Sequence, residues 1–216
     1  MIDDRSMTDL IRRTFPDAEV EIWDRTGTMD HFDVLIRSKL FAGKSPLDRH
    51  RMVERALAEA RADGRIHALA NVAGGFAMSG PVAESDPAVF QRQLAINLGS
   101  AYGATRACIP FMRAAGGAVV FMAAAAVLPG GKVAGMAGYA ASKAGVAALM
   151  RAVSQEERAN GIRANALAPT AIRTGTNVAS MGDRFAYVER ESVAAVIAFL
   201  CSGEAANITG QVIELA

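Results

Sequence analysis

Residues 65–75 read Arg-Ile-His-Ala-Leu-Ala-Asn-Val-Ala-Gly-Gly, and the fold turns on this stretch. Ile66 to Val72 has the apolar character and length of a strand, and Gly74-Gly75 marks the turn after it. Downstream, strands and helices alternate. Asp86-Pro87 opens a helix with Phe90, Leu94, Leu98 and Ala101 on one face, and Pro110 is expected to kink or break it. Strands are predicted over 118–122, 162–166 and 210–215, and helices over 139–160 and 192–200. Continuous apolar strands between helices predict a parallel sheet covered on both faces.

Upstream of the same stretch the pattern differs. Residues 6–14 read as a short helix with a Ser6/Asp9 capping box, closed by Pro16. Residues 20–24 and 31–39 alternate in polarity around Thr26-Gly27-Thr28, which predicts a hairpin. Ser45, Pro46 and Asp48 then open a helix with Met52, Val53, Ala56, Leu57 and Ala60 inward, ended by Gly64. The loop 41–48 that leads into it, with Lys44, is a candidate anion site beside its simpler reading as a capped helix start.

Composition narrows the classes. Of 216 residues 51% are hydrophobic but only 6% aromatic, so the core is built from aliphatic residues and alanine, and a disordered chain is excluded. A net charge of +1 gives no footprint for nucleic acid. No apolar run has the length of a membrane span, and the polar start, MIDDRSMTD, is not that of a signal peptide. Cys108 and Cys201 form neither a metal spacing nor a disulfide framework, so a cytoplasmic soluble protein is expected. Residues 1–65 carry 13 acidic and 12 basic side chains, and the remainder only 9 and 11, which points to two segments of different origin.

The first segment resembles the BolA family over about residues 6–70. The phrases PDAEVEIWD, DHFDVLIRSKLFAGKSPLDRHRMVERALAEA and IHALA stand in that family's order. The resemblance implies a monothiol glutaredoxin partner around a shared iron–sulfur cluster, or a role in transcriptional regulation. It assigns His67 as the cluster ligand, with His31 at the place of the second. In the isolated chain His67 is expected to be packed, and His50 to serve packing and hydrogen bonding.

Residues 64–215 resemble the latter part of a short-chain dehydrogenase/reductase. NVAGG at 71–75, INLGS with Asn97, YAASKAGV with Tyr139 and Lys143, IRANALAPTAIRT and ITGQVIEL carry it. The resemblance implies Tyr139, Lys143 and Asn97 as catalytic residues, and Asn71, Ala73, Gly74, Pro169 and Thr174 around NAD(P). Tyr139 and Lys143 share a helix face, where an ammonium group is expected to depress the phenol pKa. Asn97 would kink its helix and organise a proton-relay water. Three departures stand out. Where the family carries a catalytic serine, the chain has Ala123-Ala124-Ala125-Ala126, with Ala124 at the lost position. The Gly-x-x-x-Gly-x-Gly turn is missing, and the segment between Thr174 and Glu191 is short.

Both parents place residues 66–72 after a helix, so one strand serves both. The expected architecture is a single hybrid α/β domain, 1–216. It is a three-layer sandwich whose mostly parallel sheet runs 20–24, 31–39, 66–72, 118–122, 162–166, 210–215, with the BolA-like hairpin replacing the first half of a Rossmann fold; two separately packed lobes are the alternative. The leading functional expectation is a non-catalytic dehydrogenase remnant with a binding or assembly role and no cofactor in the isolated chain. The alternative is an NAD(P)-dependent oxidoreductase. Small residues Ala101, Ala104, Ala141 and Ala148 on two helices predict a homo-oligomer.

Overall fold

The computed structural model describes residues 8–9, 11–12, 15–24, 32–42, 52, 66–183 and 186–216. The chain divides into two compact units, 1–64 and 65–216. Lys44, His31, His50 and residues 43–48 of the loop that leads into the predicted helix at 45–63 lie outside the described residues; of that helix, Met52 is described and is helical.

In the first unit, residues 8–9 and 11–12 are helical, and Ile11, Phe15 and Ala18 form a small buried cluster with Val20 and Met52 against it. Strands β1 (Glu19–Asp24) and β2 (Phe32–Arg37) pair antiparallel from Glu19↔Arg37 to Asp24↔Phe32, the predicted hairpin. Asp17 ties the far end: its carboxylate accepts from the Ser38 hydroxyl and the Lys39 amide, both at 2.7 Å. Those two bonds hold its carboxyl below the usual range.

The second unit holds a four-stranded sheet in the order β3 (Ala68–Asn71), β4 (Gly117–Met122), β5 (Ile162–Pro169), β6 (Val212–Leu215), every pair parallel. The hairpin forms a sheet of its own, so the single six-stranded sheet expected from the sequence is resolved as two. The apolar runs explain the parallel sheet. Val119 and Phe121 of β4 pack in one cluster with Met112, Val146 and Met150, while Val120 and Met122 pack in another with Leu167, Val193 and Leu200. Both faces of the central strand are therefore buried, which only helices on both sides permit.

Helix α1 (Pro87–Gln93) starts where the sequence signals it: the Asp86 carboxylate accepts from the Ala88 amide at 2.8 Å, with Pro87 in the first turn. A π turn, Leu94–Gly99, joins it to α2 (Ser100–Met112). Here the sequence expectation needs correction. Pro110 lies inside the last turn of α2 without breaking it, and the irregularity sits at Leu94–Gly99 instead. Helix α3 (Ala137–Glu156) carries Tyr139 and Lys143, α4 (Gly175–Met181) follows β5, and α5 (Arg190–Cys201) precedes β6. At the other end of α3, Glu157 receives two bonds from Arg113, at 2.6 and 3.0 Å, tying the turn before β4 to the helix end. Ala101 and Ala104 are buried, so of the four small residues offered for helix contact only Ala141 and Ala148 are exposed. Among the described residues no helix is long and apolar enough to cross a membrane.

The β3–β4 pairing depends on a missing side chain. A Cβ on Gly117 would lie 2.5 Å from the His67 carbonyl oxygen, which accepts from the Ala118 amide, and 2.8 Å from Met112 Cε. Gly117→Ala is expected to lower unfolding stability by about 1–3 kcal/mol in denaturant titration. Gly175→Ala, with nothing within 4 Å of the added carbon, is expected to leave it nearly unchanged.

Candidate active site

The C-terminal ends of β3 and β4, the π turn and the first turns of α3 meet around Asn97. Its side chain is 1% exposed, and a buried amide has to satisfy both ends. Oδ1 accepts from the Gly75 amide at 2.9 Å. Nδ2 donates to the Gly75 carbonyl at 3.0 Å, to the Ser142 hydroxyl at 3.0 Å and to Gln93 Oε1 at 3.3 Å. The Ser142 hydroxyl in turn donates to the Tyr139 carbonyl at 2.7 Å. The π turn itself is closed by the Ser100 amide on the Ala95 carbonyl, with the Ser100 hydroxyl on Ile96 at 2.7 Å. The helix irregularity predicted at Asn97 is this turn. One asparagine thus joins the loop after β3 to the helix that carries the tyrosine and the lysine.

Lys143 is 7% exposed, and its Nζ donates to the Met122 carbonyl at 2.8 Å. Burial pulls its pKa down to about 8. Tyr139 is half-buried; Phe76 meets its ring edge-on at 5.0 Å, and Lys143 Nζ lies 6.0 Å from the ring centre. Burial pushes the phenol pKa up. The expected depression by the lysine is therefore not found: the ammonium is spent on a backbone carbonyl, and desolvation dominates both groups. Ala123 and Ala124 are buried, and no residue from 123 to 126 offers a hydroxyl.

The residues assigned to the nicotinamide lie along the same edge of the sheet. Asn71 ends β3 and gives its amide to the Thr105 hydroxyl at 3.1 Å. Ala73 and Gly74 are exposed, Pro169 ends β5, and Thr174 caps α4, its hydroxyl accepting from Asn177 at 3.2 Å. A Cβ on Gly74 would lie 2.6 Å from Asn97 Oδ1 and 3.4 Å from Lys143 Nζ, so glycine keeps the backbone close against both. These residues fit the nicotinamide-ribose end of a dinucleotide: a lysine behind an exposed glycine and a capping threonine at a helix start. The pyrophosphate end has no glycine-rich turn in the sequence to receive it. Sequence reasoning missed Ser142, Gln93 and Phe76. Ser142 was findable, three residues after Tyr139 on the same helix face; Phe76 was not, because its contact depends on the loop path.

His67 is exposed, against the expectation that it is packed. Its carbonyl is held by the Ala118 amide at 3.0 Å, so the ladder fixes the backbone and leaves the ring outward. Among the described residues no group of three or more His, Cys, Asp or Glu is placed to hold a metal ion.

Two family profiles match the chain: enoyl-(acyl carrier protein) reductase, a short-chain dehydrogenase family, over residues 45–215, and BolA-like protein over residues 12–74. They overlap through 45–74, which contains β3. A tropinone reductase homolog of Arabidopsis thaliana is 33% identical over 162 residues, covering 69% of this chain and 60% of its own length. Protein FixR of Bradyrhizobium diazoefficiens is 34% identical over 214 residues, covering 90% of this chain and 70% of its own. A short-chain type dehydrogenase/reductase from Mycobacterium ulcerans superposes with a TM-score of 0.68 at 26% identity, over 78% of this chain and 65% of that one. The chain thus spans about three fifths of the length of the first curated relative.

Lys143 makes stability pH-dependent. Its folded pKa, about 8, lies below the ordinary lysine value, so between these values the unfolded chain binds the extra proton. Stability is therefore expected to rise with pH above about 8. Relative to Lys143→Met, the gain should approach roughly 3 kcal/mol across the window. Chemical denaturation of both proteins from pH 7 to 10 measures the difference; parallel curves would contradict the burial of a charged amine.

Proposed function

Because the chain belongs to the short-chain dehydrogenase/reductase family, with a BolA-like match over residues 12–74 that overlaps the start of that region, we propose that its second unit is an oxidoreductase site acting on an alcohol or carbonyl, with NAD(P) as cofactor. The observation that carries this reading is the Asn97 junction, which brings Tyr139 and Lys143 to one sheet edge through Gly75 and Ser142. A bound nicotinamide would supply or accept the hydride. Tyr139 would give the proton to the carbonyl oxygen, and its raised pKa keeps the phenol protonated for that task. Lys143 and Thr174 would hold the nicotinamide-ribose end, and Asn97 would keep Tyr139 in place. Phe76 beside the phenol adds an apolar wall.

The alanine run favours a second reading, a binding or assembly protein that has lost turnover. The family's serine fixes the substrate oxygen, and Ala123–Ala126 have no group to do so. On that reading exposed His67 is the point of attachment to a monothiol glutaredoxin through an iron–sulfur cluster. Self-association through α2 and α3 is proposed on either reading, with Ala141 and Ala148 as the exposed small residues.

Calorimetric titration with NADH and NADPH, paired with turnover of simple ketones, separates the two. The first reading expects binding, slow turnover lost in Tyr139→Phe, and a gain of about 10²-fold in Ala124→Ser, the size of one placed hydrogen-bond donor. No binding of either nucleotide, together with a cluster spectrum on reconstitution that is lost in His67→Ala, would establish the second.

A further inference from the structure

We propose that Phe76, Met78 and Val133 form an apolar rail beside the Tyr139 phenol, and that this rail selects substrates bearing an aliphatic chain next to the reacting carbonyl. The inference rests on the oxidoreductase reading of the same site and adds the substrate class to it.

Two loops build the rail. The first follows β3 and carries Phe76 and Met78; the second leads into α3 and carries Val133. They pass each other in opposite directions. Phe76 meets the Tyr139 ring edge-on at 5.0 Å. Further along, the Ser79 and Gly80 amides both donate to the Gly135 carbonyl, at 2.8 and 3.1 Å, and the Ser79 hydroxyl donates to it at 3.3 Å. Met78 lies over the same glycine: a Cβ on Gly135 would stand 3.0 Å from the Met78 methyl carbon. The Met136 amide donates to the Val133 carbonyl at 3.1 Å and closes the turn that carries Val133. Counted outward from the phenol, the order is Phe76, Met78 and then Val133.

These side chains face water. Phe76 is 54% exposed, Met78 57% and Val133 42%. Single exposed apolar residues are ordinary, but three in line on two loops clipped together make a patch of the kind that marks a binding surface. No charge interrupts it along the chain, since residues 72–83 and 133–142 carry none. Its position decides the occupant. One end of the rail is the phenol that meets the carbonyl oxygen. A substrate whose oxygen reaches Tyr139 therefore lays its neighbouring substituent against Phe76 and, when that substituent is long enough, against Met78. The residue types suit an alkyl chain. Phe76 offers a flat apolar wall, and the unbranched Met78 side chain adapts to chains of different shape.

The test is a homologous series of 2-alkanones, from 2-butanone to 2-nonanone, offered to the full protein with NADH and with NADPH. kcat/KM is expected to rise about two- to fourfold per added methylene, and at least about thirtyfold over the series. Met78→Ser alters an exposed side chain and should keep the fold. It is expected to lower kcat/KM for 2-nonanone at least fivefold more than for 2-butanone. Calorimetry with 2-nonanone, with and without nucleotide, should show weaker binding in the same variant. Turnover with a flat chain-length profile overturns this inference and leaves the oxidoreductase reading standing. Absence of turnover and of nucleotide binding, with 2-nonanone binding weakened by Met78→Ser, removes the oxidoreductase reading and supports the rail as an apolar ligand site. No binding of 2-nonanone, or binding that Met78→Ser leaves unchanged, overturns the rail. Self-association lost in Met78→Ser, with no chain-length preference, would assign the patch to a second copy of the chain and overturn it as well.

Discussion

A carboxamide cannot be buried without partners, and Asn97 finds four of them. The cost of an unsatisfied amide in a site this dry is about 1–3 kcal/mol per group, comparable with a large fraction of a domain's net stability. The local structure around Asn97 follows from that constraint. The π turn widens α1 into α2 so that the side chain at 97 reaches the loop after β3. The loop is held by both its Gly75 amide and its Gly75 carbonyl, so it is fixed in orientation as well as in position. Gly74 has to be glycine because the same amide oxygen would lie 2.6 Å from any Cβ there. Ser142 passes the constraint to α3 and fixes the turn from which Tyr139 projects.

How much of this was legible in the sequence follows from the range of each interaction. Asp86-Pro87 as a helix start, Gly161 as a helix end and the apolar strand at 118–122 are local signals, and the structure places each one close to where the sequence does. Tyr139, Lys143 and Asn97 were legible because motif spacing encodes their neighbourhood. Pro110 misled because a proline's effect depends on its distance from the helix end: it sits three residues before Arg113, the C-cap of α2, where little of the helix remains to be broken. Sheet order was half-legible. The four parallel strands follow from hydrophobic runs between helices, whereas the pairing of the hairpin depends on long-range contacts that no local pattern specifies. His67 misled for a related reason. The strand ladder fixes its carbonyl, not its ring, and the residue stands just ahead of β3, where the ring is exposed.

The overlap of the two family profiles over 45–74 gives the joint a physical logic. A strand is a poor place to splice unless both neighbours accept the same register, because a slip of one residue exchanges its faces. Residues 68–71 meet that demand on the β4 side with four successive parallel pairs, Ala68↔Ala118 to Asn71↔Phe121. The side chains are small or apolar up to Asn71, whose amide then turns into the unit to meet Thr105. A strand of alanine and leucine makes few demands on side-chain shape, which suits a segment that both family profiles match.

The site chemistry follows from burial. Residues 123–126 carry four methyl groups and no hydroxyl. Burial then acts alone on the two titratable groups, and it acts oppositely on an acid and a base. The phenol is pushed up and the amine is pulled down to about 8, each toward its neutral form. An ammonium close to a phenol would instead favour phenolate and make the tyrosine the base. Here the order is reversed: Lys143 loses its proton before Tyr139 does, and the Met122 carbonyl can hold the amine in either state because it only accepts. Burial and the backbone carbonyl thus set the order of the two titrations: the lysine of the motif gives up its proton at about 8, before the tyrosine, whose phenol burial pushes up.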